Sequence, residues 1–181
     1  MGPGRRSRRF RHQAARGPYR RIVVAERTAP LDVRAGADKE LVDGVRARHR
    51  AVIGGRGTYN AADARGGTNP WGVPFFILTH HPEEKPPGSG FAFVNGLDEA
   101  LARARVPAGD KDVTLVGGAD LIRQALGAGV VDELPISIAP VVLGAGKRLF
   151  EGFTASLILE PVQVRGSRFA THITYQPGLC R

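Results

Sequence analysis

Apolar residues in this chain come in short bursts separated by glycine, and the spacing inside each burst predicts an element. Ile22–Ala25 is an apolar run long enough for a brief strand. From Ala37 to His49 the pattern turns helical. Leu41, Val42 and Val45 share a face, with Asp38, Glu40 and Asp43 early and Arg46 and Arg48 late, as the helix dipole favours. Gly44 weakens that helix. Ala51–Ile53 is a short strand running into Gly54-Gly55. Val73–Leu78 reads as a buried strand after a Gly/Asn/Pro-rich loop, and Phe91–Val94 as another. Asn95 is placed to cap a helix that carries Leu97, Ala100, Leu101 and Ala104. Val113–Val116 is a strand. After Gly117-Gly118 comes a helix with Leu121, Ile122, Ala125 and Leu126 on one face, ended by Gly127 or Gly129. Ile136–Val142, Leu157–Val164 and Phe169–Tyr175 complete the set, the last two as an antiparallel pair.

Strands alternating with helices need crossover connections, and crossovers make parallel sheets. The predicted fold is therefore α/β: a mostly parallel central sheet flanked by helices, with an antiparallel C-terminal edge. No internal repeat interrupts it.

Charge divides the chain of 181 residues unevenly. The first thirty residues hold nine arginines against one acid, Glu26, so nearly all of the net charge of +9 sits there. Residues 1–21 contain no Ile, Leu or Val and cannot offset their ordering entropy by apolar burial. This predicts a basic, disordered arm over residues 1–30 and a single domain over 31–181. The body lacks the basic excess and stacking aromatics of a nucleic-acid binder, so nucleic acid is not an expected partner. The one cysteine, Cys180, allows no internal disulfide and no cysteine metal centre, which fits a reducing, cytoplasmic setting. No apolar run approaches membrane-spanning length, so no membrane association is expected.

Two motifs carry candidate chemistry. In Gly55-Arg56-Gly57-Thr58 a strand ends in glycine and opens a helix. Its exposed N–H groups and the helix dipole attract a phosphate, Thr58 adds a hydroxyl, and Arg56 a fork-shaped cation. The same stretch reads equally as a turn with a solvated arginine. Gly117-Gly118-Ala119-Asp120 repeats the logic, although Asp120 in a first helical turn also suits the dipole alone. Neither is a full G-x-G-x-x-G fingerprint. Both turns fall at carboxyl ends of parallel strands, where α/β sheets bind ligands, and together they span what a dinucleotide needs.

Two further stretches are less specific. In Thr79-His80-His81, adjacent strand histidines face opposite sides and cannot easily share a metal, so the rim of a nucleotide site is the better reading and no metal is expected. A glycine loop with cations (Gly144, Gly146, Lys147, Arg148) follows Ala139–Val142; it suits an anionic substrate, or it is simply a flexible connection. GxSxG, HExxH and Cys/His metal spacings are absent, which leaves hydrolase and zinc-enzyme readings without support.

Four blocks in order, Val52–Tyr59 (VIGGRGTY), Val73–Pro82 (VPFFILTHHP), Val113–Leu126 (VTLVGGADLIRQAL) and Val131–Phe150 (VDELPISIAPVVLGAGKRLF), resemble the reductase domain of the bifunctional riboflavin-biosynthesis deaminase-reductase, within the dihydrofolate reductase-like superfamily. The resemblance covers about residues 35–175. It implies NADPH as cofactor and often a homodimer. It also implies hydride delivery to a C=N or C=O group of a pteridine-, pyrimidine- or ribose-bearing small molecule, as in a phosphoribosylaminouracil reductase. By it, Gly55, Arg56, Gly57 and Thr58 hold phosphates, with Arg56 toward the 2′-phosphate. Thr79 and His80 border the adenosine end, and Gly117, Gly118, Ala119 and Asp120 form the second phosphate turn. Two departures stand out. Gly57 replaces a bulkier residue, and nothing in residues 1–34 matches the family's opening strand and Ser-Leu-Asp-Gly-(Phe/Tyr) loop beside the nicotinamide. The resemblance names no catalytic acid here. The alternative it leaves is a catalytically impaired NADPH-binding or structural dimer module that lacks this first segment.

Overall fold

A computed structural model of the chain describes residues 21–25, 44, 47–63, 68–83, 90–142, 144–146, 148–154, 156–168 and 170–179. Its elements are β1 (Ile22–Ala25), β2 (His49–Gly55), α1 (Arg56–Asp63), β3 (Phe75–Leu78), β4 (Ala92–Val94), α2 (Leu97–Ala108), β5 (Asp112–Val116), α3 (Ala119–Gly127), β6 (Leu134–Ile138), β7 (Leu157–Gly166) and β8 (Thr171–Leu179). The central sheet has the order β1-β5-β2-β3-β4, and all of its pairs are parallel. A second sheet, β6-β8-β7, is antiparallel. The predicted α/β class is borne out; the antiparallel C-terminal strands, predicted as an edge, form a sheet of their own.

The strand alternation explains how the sheet is covered. On one face Ile22, Val24, Ile53 and Leu115 pack against Ala100, Leu101 and Ala104 of α2 and Leu121, Ile122 and Ala125 of α3. On the other, Val52, Ile77 and Val116 meet Tyr59 of α1 and the rings of Phe75, Phe91 and Phe93. Tyr59 stands edge-on to Phe91 and Phe93, with centroids 5.3 and 5.1 Å away, a favourable aromatic geometry. The interior strand β5, between β1 and β2, is buried along its whole length, as a strand covered on both faces must be.

β1 changes the domain reading. The stretch assigned to a separate arm over residues 1–30 supplies a strand of the main sheet, with Ile22 paired to Val113 and Val24 to Leu115. Ile22, Val23 and Val24 are buried, so the division between arm and body does not fall at residue 30. The outer side of β1 is fastened to the segment entering β6. Ile22 N–H donates to Asp132 Oδ2 at 2.9 Å, Val24 N–H to the Glu133 carbonyl at 3.0 Å, and Asp132 N–H to the Ile22 carbonyl at 2.9 Å. Arg21 also pairs with Glu133. A parallel bridge, Val23 to Glu133, thus links the two sheets.

Several boundaries differ from expectation. Of the predicted arm over residues 1–30, residues 1–20 and 26–30 lie outside the described residues. So does most of the predicted Ala37–His49 helix, of which Gly44, Ala47 and Arg48 are helical while His49 already belongs to β2. α2 is capped by Gly96 (φ 92°) rather than by the Asn95 side chain. Glu99 reaches back instead, accepting the Asn95 backbone N–H at 3.2 Å, one residue ahead of the N–H that a capping box would use. The strand predicted over Ile136–Val142 is Leu134–Ile138. Pro140 cannot donate to a ladder, and Val141 and Val142 beyond it are exposed.

Candidate functional site

Because β2, β3 and β5 run parallel, their carboxyl ends share one edge of the sheet. Gly54 pairs with Val116 and Gly55 with Leu78, so the Gly55 turn lies between the Gly117 turn and Thr79. The two glycine motifs touch. A Cβ on Gly118 would lie 3.8 Å from Gly55 Cα, and one on Gly55 would lie 4.0 Å from the Gly117 carbonyl oxygen. Gly117 (φ 64°) and Gly118 (φ 79°) both occupy the left-handed region, which side chains rarely adopt. A Cβ at Gly117 would fall 2.5 Å from Thr58 Oγ1, so the first turn of α1 is seated directly against the second turn.

Two features of this edge suit an anion. α3 begins at Ala119 after Gly118, and no side chain caps it, which leaves its first N–H groups for another acceptor. Gly57 is exposed, and the space where its Cβ would stand is open to 4 Å.

The remaining predicted residues are placed as follows. The Arg56 guanidinium lies 5.5 Å from the ring centroids of both Tyr59 and Phe93, and its Nε donates to Asn60 Oδ1 at 3.2 Å. The cation is held against aromatic faces at the start of α1. Thr79 is buried at the end of β3. Its N–H donates to the Val94 carbonyl at 3.0 Å, and its hydroxyl accepts the His81 N–H at 3.2 Å, so its polar atoms shape the turn. His80 is exposed at the rim. Ala119 is half-buried, and the exposed Asp120 carboxylate pairs with Arg123 one helical turn on. Gly144 (φ 72°) and Gly146 lie exposed on the segment after β6, and Lys147 lies outside the described residues. Among the described residues, no three His, Cys, Asp or Glu side chains gather in a way that would hold a metal.

Sequence reasoning passed over Asn60, Phe93 and Arg123. Asn60 follows Arg56 by four residues and Arg123 follows Asp120 by three, spacings that bring helical side chains together. Phe93 carried no such signal, because it reaches Arg56 from a different strand.

A model of the RibD C-terminal domain family matches residues 11–171. The chain belongs to that family. The match starts ahead of residue 35, where the resemblance was drawn, and it includes β1. A curated relative, the uncharacterized protein YyaP of Bacillus subtilis, is 47% identical over 55 residues, 30% of this chain and 29% of that protein, so the chain spans under a third of its length. Among solved structures, this family member is similar to a Shewanella sp. PV-4 protein provisionally described as a riboflavin biosynthesis protein, with 18% identity, a TM-score of 0.67, and coverage of 87% of this chain and 97% of that one. It is also similar to the riboflavin biosynthesis reductase Rib7 of Saccharomyces cerevisiae, with 14% identity, a TM-score of 0.63, and coverage of 92% and 93%. A third is a pyrimidine reductase-like protein of Corynebacterium diphtheriae, with 18% identity, a TM-score of 0.58, and coverage of 90% and 92%. At these identities the shared property is the fold. Among the described residues, no helix is long and apolar enough to cross a membrane.

Proposed function

We propose that this chain is an NADPH-dependent reductase of the riboflavin-biosynthesis type, reducing a C=N or C=O group of a small pyrimidine-, pteridine- or ribose-bearing molecule. The observation that carries the reading is the contact between the two glycine turns, Gly55–Thr58 against Gly117–Gly118, at the carboxyl edge of the parallel sheet. One uncapped helix start and two close-set backbone turns form a cradle for the phosphates of a dinucleotide. Names among the structural neighbours, a riboflavin biosynthesis reductase and a pyrimidine reductase-like protein, support the same chemistry.

In this reading NADPH supplies the hydride, and the chain supplies orientation and charge. Gly55, Gly57, Gly117 and Gly118 would let the backbone approach the phosphates. Arg56, stacked on Tyr59 and Phe93, would meet the 2′-phosphate, while Thr79 and His80 would border the adenosine. The impaired-module alternative rested on a missing first strand. β1 supplies a first strand, which favours the enzyme reading; the loop that the family carries after it falls at residues outside the described ones. The proposed enzyme is cytoplasmic and a homodimer. Exposed Ile138 and Val164 on the second sheet offer apolar surface for a second copy.

Calorimetry with NADPH and NADH tests the reading. The wild type should prefer NADPH. Arg56→Ala should weaken NADPH about tenfold, the loss of one charged hydrogen bond, and leave NADH nearly unchanged. Steady-state NADPH oxidation with the riboflavin-pathway ribosylaminopyrimidine and with dihydrofolate then tests turnover. Absence of binding by either cofactor would overturn the proposal.

A further inference from the structure

Asp120 and the glycine segment after β6 meet at one side chain, Arg123. Its Nη1 donates to the Leu149 carbonyl at 3.1 Å and to the Arg148 carbonyl at 3.4 Å, and its Nη2 pairs with the Asp120 carboxylate. Further along the same helix, the position of a Cβ on Gly127 lies 3.9 Å from the Phe153 ring. The stretch 148–153 is therefore strapped along α3 at two points.

Topology gives this strap a place. β6 runs parallel to β1, which runs parallel to β5, so β6 ends at Ile138 on the same edge as the glycine turns. The segment leaving Ile138 returns to α3 within its first two turns, immediately after Gly117–Gly118. Segment 139–149 thus starts and finishes at the edge that carries the site, with Gly144 and Gly146 between its ends.

Asp120 raises a charge problem at this edge. A carboxylate in the first turn of a helix that is to receive a phosphate repels it, and Arg123 cancels that charge. We propose that Arg123 is a positioning residue with two tasks: it ties segment 139–149 to the second glycine turn, and it neutralises Asp120 so that the turn accepts an anion. The second task rests on the reading of this edge as a dinucleotide site; the first does not.

The full chain would be compared as wild type, Arg123→Lys, Arg123→Gln and Arg123→Gln/Asp120→Asn. Hydrogen exchange over residues 139–153 without ligand reads the tether, with 97–108 of α2 as an internal control. Calorimetric NADPH affinity reads the charge. Arg123→Gln should speed exchange over 139–153 while α2 stays protected, and weaken NADPH about two- to fivefold, the scale of one exposed, solvent-screened charge near the ligand. Adding Asp120→Asn should return most of the affinity and none of the protection. Arg123→Lys keeps the charge but loses the fork, so it should bind NADPH nearly as well as wild type and exchange faster. Unchanged exchange over 139–153 in both single variants would overturn the tether. An affinity loss in Arg123→Gln that Asp120→Asn fails to relieve would overturn the neutralising role. If the wild type itself ignores NADPH, the cofactor reading and the neutralising role fall together, and the exchange arm still decides the tether.

Discussion

Gly117→Ala is the sharpest test of the interlock between the two glycine turns, and its cost can be worked from two separate terms. The backbone term comes from φ 64°, where an L-residue pays roughly 1–2 kcal/mol. The steric term comes from Thr58. The new methyl would sit 2.5 Å from Oγ1, 3.3 Å from Cγ2 and 3.4 Å from Cβ, so all three atoms crowd it. Thr58 lies on α1, where its χ1 is restricted, so rotation gives limited relief. Overpacking of this kind costs about 1–3 kcal/mol. The sum is about 2–5 kcal/mol, or very roughly 4–20 °C in Tm for a domain of this size. Urea unfolding followed by the fluorescence of the single tryptophan, Trp71, which stands edge-on to His49, gives the free energies. Thr58→Ala removes Oγ1 and Cγ2. In the double variant the steric term should vanish while the backbone term remains, leaving a favourable coupling of about 1–3 kcal/mol. Additivity of the two changes to within about 0.5 kcal/mol would mean that Thr58 is not seated against Gly117 and that the two turns do not form one unit.

Other expectations follow from packing. Val24→Asp places a charge on a side chain 1% exposed in β1 and should leave the protein unfolded or insoluble at ordinary temperature; a soluble variant with wild-type Tm would mean that β1 is not part of the sheet. Gly54→Ala would put a methyl 2.8 Å from Phe75 Cε2 and should cost about 1–3 kcal/mol in urea unfolding. Phe75→Leu should recover part of that cost, and no recovery would point to the backbone instead. Glu99→Ala frees the Asn95 N–H and the Arg103 partner and should lower stability by about 0.5–1.5 kcal/mol; an unchanged urea midpoint would show that the cap carries no weight.

Much of the architecture was legible because local pattern and tertiary role agree. In α3 the apolar residues recur at helical spacing, an acid opens the helix, and the same residues turn out to be its buried face. β5 reads as a strand because both of its faces are covered. Where the two levels part, reading by pattern failed. Ile22–Ala25 was legible as a brief strand, but not its place in the main sheet, which depends on β5 and on Asp132 and Glu133, far away in the chain. Val141 and Val142 look like a continuing strand, but Pro140 stops the ladder and both remain exposed. Within the site, each glycine turn was visible alone. Their contact was not, since it depends on β5 lying beside β2, and sheet order leaves no trace in local spacing. Asp120 likewise stood out as a first-turn acid, and its pairing to Arg123 is local to α3, while the link onward from Arg123 to Leu149 is a tertiary fact.

The placement of β1 also has a consequence in time. Its hydrogen bond from Ile22 to Asp132 joins residues 110 positions apart, and among the described residues its ladder partner is β5. At typical synthesis rates that interval takes about 5–20 s. Until β5 is made, late in that interval, Ile22, Val23 and Val24 have left the ribosome without their ladder partner, while β2, β3 and β4 can already associate. The earliest of these strands to be made is thus among the last to dock. Until residues 131–134 emerge, the growing sheet carries an open parallel edge at β1, which makes this an interval in which nascent chains of this protein are exposed to mispairing and to chaperone capture.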